Sequence, residues 1–182
     1  MAYVPRLSTS SPTQMQDNPW WYSTGNRFYA AGYGLPNCTC YCYGRTGEIN
    51  GAFNTDLPYG DAGTWYNYIV NRGIIPVGSE PKLGAIACWY DPNGVYAGHV
   101  AQVEEISADR NTITLSNSGY PSNYFWTASV TRANNFSEQW EINRGYVLQG
   151  FIYVYEDPTP PTPPTPVTRT HLPIWMLLRY GY

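Results

Sequence analysis

The spacing of apolar residues predicts two helices in the first half of the chain. The first spans residues 37–43, where Asn37 is a good N-cap and Gly44 is a typical stop. The second spans about residues 62–72, where apolar residues recur at helical spacing and Gly73 closes the end. Both helices therefore precede the first predicted strand.

The second half of the chain carries β-branched and aromatic residues between turn signals, which is typical of strands. The predicted strands span residues 85–90, 99–106, 111–116, about 124–130 and 146–155. Short helices followed by an antiparallel sheet indicate an α+β fold.

Changes of composition mark the limits of the folded domain. Residues 1–17 are polar and predict a loose arm, so the domain begins at residue 18. Residues 157–166 are a Pro-Thr repeat, which favours an extended, stiff linker and ends the domain at residue 156. The aromatic tail over residues 167–182 is too short to fold alone.

Length and charge exclude several classes of function. The 182 residues suffice for one compact domain with its own core, and we expect a monomer. The net charge of -3 provides no basic field for binding nucleic acid. No apolar run reaches the roughly 18 residues of a membrane span, and the start of the chain lacks the apolar segment of a signal peptide. We therefore expect synthesis in the cytoplasm without a secretion signal.

Three of the four cysteines occupy alternate positions, Cys38, Cys40 and Cys42. They lack the Cys-x-x-Cys spacing of a zinc site and the wide spread of a disulfide framework, so we expect reduced thiols and no metal. Cys38 opens the predicted helix, where free backbone N–H groups and the helix dipole favour a thiolate and could stabilise an oxyanion. For Cys40, Cys42 and Cys88 the ordinary interpretation is a small buried side chain.

His99 and Asn117 are brought together by a simple register argument. If the strands over residues 99–106 and 111–116 form a hairpin, paired positions sum to about 218. His99 and Asn117 then lie on the same face as near-diagonal neighbours. An amide beside an imidazole fixes its tautomer and direction, as a general base for a thiol requires. The alternative is that His99 only caps a strand and Asn117 belongs to a turn.

Five blocks of the sequence, in this order, resemble the CHAP domain, the family of cysteine, histidine-dependent amidohydrolases/peptidases. They are NCTCYCYGR (37–45), PKLGAIACW (81–89), GHVAQVE (98–104), ITLSN (113–117) and GFIYV (150–154). The resemblance spans about residues 18–155 and implies a papain-like α+β fold that cleaves amide bonds in peptidoglycan without a cofactor. The matching positions make Cys38 the nucleophile and His99 the base.

The chain departs from the family pattern at two points. Many members carry Glu at the third catalytic position with Asn two residues later, whereas this chain has Asn117 and then Gly119. The resemblance implies Asn117 as the residue that orients His99, unless another partner is supplied from elsewhere. Some phage members carry an Asp-rich calcium loop before the nucleophile, but residues 29–35 contain no carboxylate, so we expect no calcium there.

Aromatic residues suggest a substrate groove, although each of them also suits a core. The candidates are Trp20, Trp21, Tyr33, Trp89, Tyr120 and Trp126. The resemblance implies bacterial peptidoglycan as the partner and a phage endolysin or virion-associated hydrolase that acts at the cell wall. Residues 167–182 are then a short tail or the start of a wall-binding module. The alternatives are an NlpC-type thiol peptidase, an amidase on another substrate, and a non-catalytic wall-binding or virion structural domain.

Overall fold

The computed structural model of the protein describes residues 3–8, 15 and 17–156. The helices are α1 (Arg27–Ala30), α2 (Cys38–Asn50), α3 (Trp65–Arg72) and α4 (Gln139–Arg144), with 3₁₀ turns at Ala62–Thr64 and Arg132–Asn134. The strands are β1 (Val77–Gly78), β2 (Ile86–Tyr90), β3 (His99–Ile106), β4 (Thr112–Gly119), β5 (Asn123–Thr131) and β6 (Val147–Ile152). The predicted linker and tail lie outside the described residues.

The six strands form one antiparallel sheet in the order β1-β6-β2-β3-β4-β5. Helix α2 packs on one face, where Cys40 and Cys42 join Cys88 and Val100 in an apolar cluster. A second cluster, which includes Leu115, covers the other face. The α+β fold with helices on an antiparallel sheet is therefore confirmed.

Helix α2 is longer than predicted, because two of its glycines serve packing and not termination. A Cβ on Gly44 would lie 2.6 Å from the Trp20 carbonyl oxygen and from the Trp21 ring. A Cβ on Gly47 would lie 2.7 Å from the Trp20 ring. The helix instead ends at Gly51, which has the left-handed φ of 72° that favours glycine.

Residues 3–8 are anchored to the domain, so the prediction of a loose arm is wrong for them. The Tyr3 hydroxyl donates to Glu104 Oε2 over 2.7 Å, and the Arg6 N–H donates to the same oxygen over 2.9 Å. The Arg45 guanidinium donates to both oxygens of Glu104, over 2.9 and 2.8 Å. This buried network joins the arm, α2 and β3.

The β3–β4 hairpin has the predicted register in the half that leads to His99. Gln102 pairs with Ser116 and Val103 with Leu115, after which a bulge shifts the pairing by one residue. His99 and Asn117 therefore share a face of the sheet. Helix α4 was not predicted, because its six residues are too few to establish a helical period.

Candidate active site

Cys38 is the first residue of α2, and the preceding residue caps the helix. Asn37 Oδ1 accepts hydrogen bonds from the backbone N–H groups of Thr39 (2.9 Å) and Cys40 (3.0 Å). The Asn37 N–H donates to Ser118 Oγ over 3.2 Å, which ties the start of the helix to the end of β4.

The Cys38 thiol is half-buried. Burial raises its pKa to about 11, while the backbone N–H groups of Val100, Thr39 and Cys38 itself lower it. The helix start thus acts in the predicted direction, but the loss of solvent outweighs it. Burial therefore opposes the thiolate that the helix start favours.

His99 and Asn117 are in hydrogen-bond contact, with 3.1 Å between His99 Nε2 and Asn117 Oδ1. With Oδ1 as the acceptor, Nε2 carries the proton and Nδ1 keeps its lone pair. The Nδ2 of Asn117 is buried and has no partner among the described residues. Among the described residues, the Asn117 side chain therefore makes its only hydrogen bond with His99, and this bond sets the tautomer of the imidazole.

Three tryptophans surround the buried imidazole. Trp126 stacks on His99 with ring centroids 6.1 Å apart, Trp140 meets it edge to face at 4.8 Å, and the tilted ring of Trp89 lies at 5.9 Å. Burial lowers the pKa of His99 to about 4, the bond to Asn117 opposes that shift, and the Arg144 charge adds to it. His99 is therefore neutral at physiological pH and free to accept a proton.

The nucleophile candidate and the base candidate meet at the start of β3. The Val100 N–H lies close enough to the Cys38 thiol to lower its pKa, and Val100 directly follows His99. Gly98, just before His99, packs closely on neighbouring backbone, since a Cβ there would lie 2.4 Å from the Trp89 carbonyl oxygen and 2.6 Å from the Gly63 nitrogen. Cys38, His99 and Asn117 thus occupy one end of the sheet.

The predicted groove residues prove to be a mixed set. Tyr33 lines a cavity together with Cys38. Trp21 and Trp89 are fully buried core residues, so their assignment to a groove is wrong. Trp20 packs edge to face on Phe53, with ring centroids 4.9 Å apart.

The two remaining groove candidates differ in exposure. Trp126 is half-buried against His99, whereas Tyr120 is 87% exposed just after β4 and does not line the cavity beside Cys38. Sequence reasoning missed Tyr59, Asp61 and Trp140. The one sequence signal near them is Gly60, a typical turn residue between Tyr59 and Asp61, and its φ of 128° favours glycine.

The other three cysteines are fully buried, as predicted for packing residues. Within the described part of the chain, no three His, Cys, Asp or Glu side chains are grouped so as to hold a metal ion. No helix of that part is long and apolar enough to cross a membrane.

Comparison with known proteins identifies a family and a similar solved structure. A model of the CHAP domain family matches residues 28–119, which is half of the chain. A similar solved structure is an N-acetylmuramoyl-L-alanine amidase from Staphylococcus aureus, with 25% sequence identity and a TM-score of 0.49. The similarity covers 66% of this chain and 31% of that chain, so this chain spans less than a third of the amidase. No curated protein matches.

Proposed function

This chain belongs to the CHAP domain family, and from that premise we propose that it hydrolyses an amide bond in bacterial peptidoglycan. Cys38 is the nucleophile, His99 is the general base and acid, and Asn117 orients His99. The observation that carries the proposal is the contact between His99 Nε2 and Asn117 Oδ1, placed beside a thiol at a helix N-terminus.

The first chemical step starts from a neutral thiol and a neutral imidazole. As Cys38 Sγ attacks the carbonyl carbon, Nδ1 of His99 takes the thiol proton and the carbonyl oxygen gains the negative charge. The N–H of Cys38 donates to that oxyanion. Because the imidazole is buried, proton transfer accompanies the attack and no stable ion pair precedes it.

The second step releases both products. The imidazolium of His99 gives its proton to the leaving amine as the C–N bond breaks, which leaves an acyl thioester on Cys38. A water molecule, deprotonated by the same imidazole, attacks the thioester. The carboxylic product departs and the proton returns to the Cys38 sulfur.

The test compares Cys38→Ala with Cys40→Ala on purified cell walls. We expect Cys38→Ala to abolish clearing and Cys40→Ala, which removes a buried thiol two residues away, to retain it. Circular dichroism checks that both variants are folded. Undiminished clearing by Cys38→Ala would contradict the proposal.

Mass spectrometry of the digested walls identifies the bond. A new amine on L-Ala indicates an amidase, and a new amine within a stem peptide or cross-bridge indicates an endopeptidase. A role in bacterial lysis by a phage stays a prediction.

A further inference from the structure

A cavity of about 260 Å³ opens beside Cys38. Its volume is slightly below the roughly 300–1,000 Å³ of pockets that enclose whole small molecules. It therefore has room for one part of a peptide next to the bond under attack. Its lining combines aromatic rings with one carboxylate, from Phe28, Tyr33, Tyr59 and Asp61.

The aromatic part of the cavity is open to solvent. Tyr33 is 59% exposed and Tyr59 is 52% exposed. Tyr59 is held by stacking on the buried ring of Phe28, with centroids 5.2 Å apart and planes inclined by 21°. The electron-rich faces of tyrosine rings attract cations.

Asp61 is the only charged residue among those that line the cavity. The backbone of Asp61 stabilises the following turn, because its carbonyl oxygen accepts hydrogen bonds from Thr64 N (3.0 Å) and Thr64 Oγ1 (2.7 Å). Its side chain makes no helix-capping bond, and no Lys or Arg of the described residues pairs with it. The carboxylate is left free at the cavity wall.

This free charge acts against the nucleophile, because the Asp61 carboxylate raises the pKa of Cys38. A cation bound beside Asp61 would cancel that effect and make the thiol easier to deprotonate.

We propose that Asp61, with Tyr33 and Tyr59, binds a primary ammonium group of the peptide whose amide bond Cys38 attacks. This subsite rests on the proposed function, because it selects peptides that carry a free amine close to the cleaved bond. The amine has two possible sources, the side chain of a diamino acid or the free N-terminus of a peptide.

The test measures binding with the full chain carrying Cys38→Ala, so that no peptide is consumed. Three synthetic peptides of one sequence are compared: one with a free lysine amine, one with a free N-terminus, and one with both amines acetylated. We expect one of the two free amines to bind about tenfold more tightly than the acetylated peptide. Asp61→Asn removes that preference.

Asp56→Asn is the matched control, because it removes an equal charge from an exposed residue of the same loop that does not line the cavity. It should leave the preference intact. Equal binding of all three peptides, no detectable binding of either amine, or an unchanged preference in Asp61→Asn would overturn the proposal.

Alkylation by iodoacetamide gives a second readout in the protein with its native Cys38. The other three cysteines are buried, so the reaction reports on Cys38. Asp61→Asn should accelerate it, and the preferred amine should accelerate it in the native protein only. If the protein prefers the free amine but hydrolyses no cell wall, the proposed function is wrong and the subsite stands. If hydrolysis is unaffected by Asp61→Asn and by acetylation of the amines, the subsite is wrong and the proposed function stands.

Discussion

Strand β3 buries two titratable side chains in opposite ways. Glu104, near its end, accepts hydrogen bonds from Arg45, Tyr3, Ser116 and the Arg6 N–H. Among the described residues, the side chain of His99, at the start of the strand, hydrogen-bonds only to Asn117 and is otherwise surrounded by aromatic rings. One end of the strand encloses a fully paired charge, and the other encloses a base without charge.

The difference follows from the cost of burying charge. A buried carboxylate is tolerated only when it is paired and hydrogen-bonded on both oxygens. An imidazole escapes that cost by remaining neutral, and a neutral imidazole is what a proton acceptor must be. The first arrangement fixes the positions of the arm, α2 and β3, while the second keeps a proton site available.

The largest loss of stability should come from removing the charged partner of Glu104. Arg45→Ala leaves Glu104 buried without its partner and should lower the free energy of unfolding by about 3–5 kcal/mol. Chemical denaturation measures it. Arg132→Ala, which breaks the exposed ion pair with Glu80, is the control and should cost less than about 1 kcal/mol. Equal losses in the two variants would show that the Glu104 network has no special role.

At the neutral end, Asn117→Ala should lower the rate of wall hydrolysis by about 10²-fold, because the imidazole loses its orientation. Asn117→Asp separates orientation from packing. Its carboxylate stabilises the imidazolium, so the pKa of His99 should rise and the acidic limb of the pH–rate profile should move to higher pH. An unchanged profile in Asn117→Asp would argue against the role of residue 117.

A third buried titratable side chain, Glu141 in α4, should make the stability of the protein depend on pH. Burial raises its pKa to about 8, and its Oε1 has no partner among the described residues. Because the folded value exceeds the unfolded value of 4.5, its contribution to stability is complete below that pH and is lost as the pH rises to about 8.

The lowered pKa of His99 has the opposite effect, because its contribution to stability rises between about pH 4 and pH 6.5. In that pH range the contributions of Glu141 and His99 nearly cancel. A net loss of about 2 kcal/mol should therefore appear between pH 6.5 and pH 8. Denaturation at these two pH values measures it. Glu141→Gln should abolish the loss, and the same loss in that variant would assign it to another group.

The smallest effect should follow Trp126→Phe. Phenylalanine keeps a ring over His99 but loses the 2.9 Å bond from the indole N–H to Glu138 Oε1. We expect a loss of about 1 kcal/mol in the free energy of unfolding and a smaller effect on hydrolysis than that of Asn117→Ala. Trp20→Phe, whose ring lies against Phe53, is the control for a lost indole elsewhere. A larger rate loss than that of Asn117→Ala would make Trp126 the main orienting residue.

Periodicity was enough to predict five of the six strands and the face shared by His99 and Asn117, because both depend on alternation along the chain. The two-residue strand β1 is too short to show alternation and was not predicted. The end of α2 could not be predicted, since Gly44 makes room for tryptophans that are distant in sequence. For the same reason the sequence did not distinguish Trp21, a core residue, from Tyr33, a cavity residue.

The electrostatics of the site were predicted only in part. The capped helix start at Cys38 is a local feature and is readable from Asn37. The burial that reverses its effect on the thiol depends on elements packed from elsewhere in the chain. The tryptophan edge against His99 comes from α4, which is too short to leave a pattern.

The central claim is that His99 is a neutral base held by Asn117, and NMR titration of the labelled imidazoles measures this directly. The chain has two histidines, and His99→Asn identifies the signal of His99. The account predicts a titration near pH 4 with the proton on Nε2 above it. An imidazolium that persists at neutral pH, or a proton on Nδ1, would contradict it.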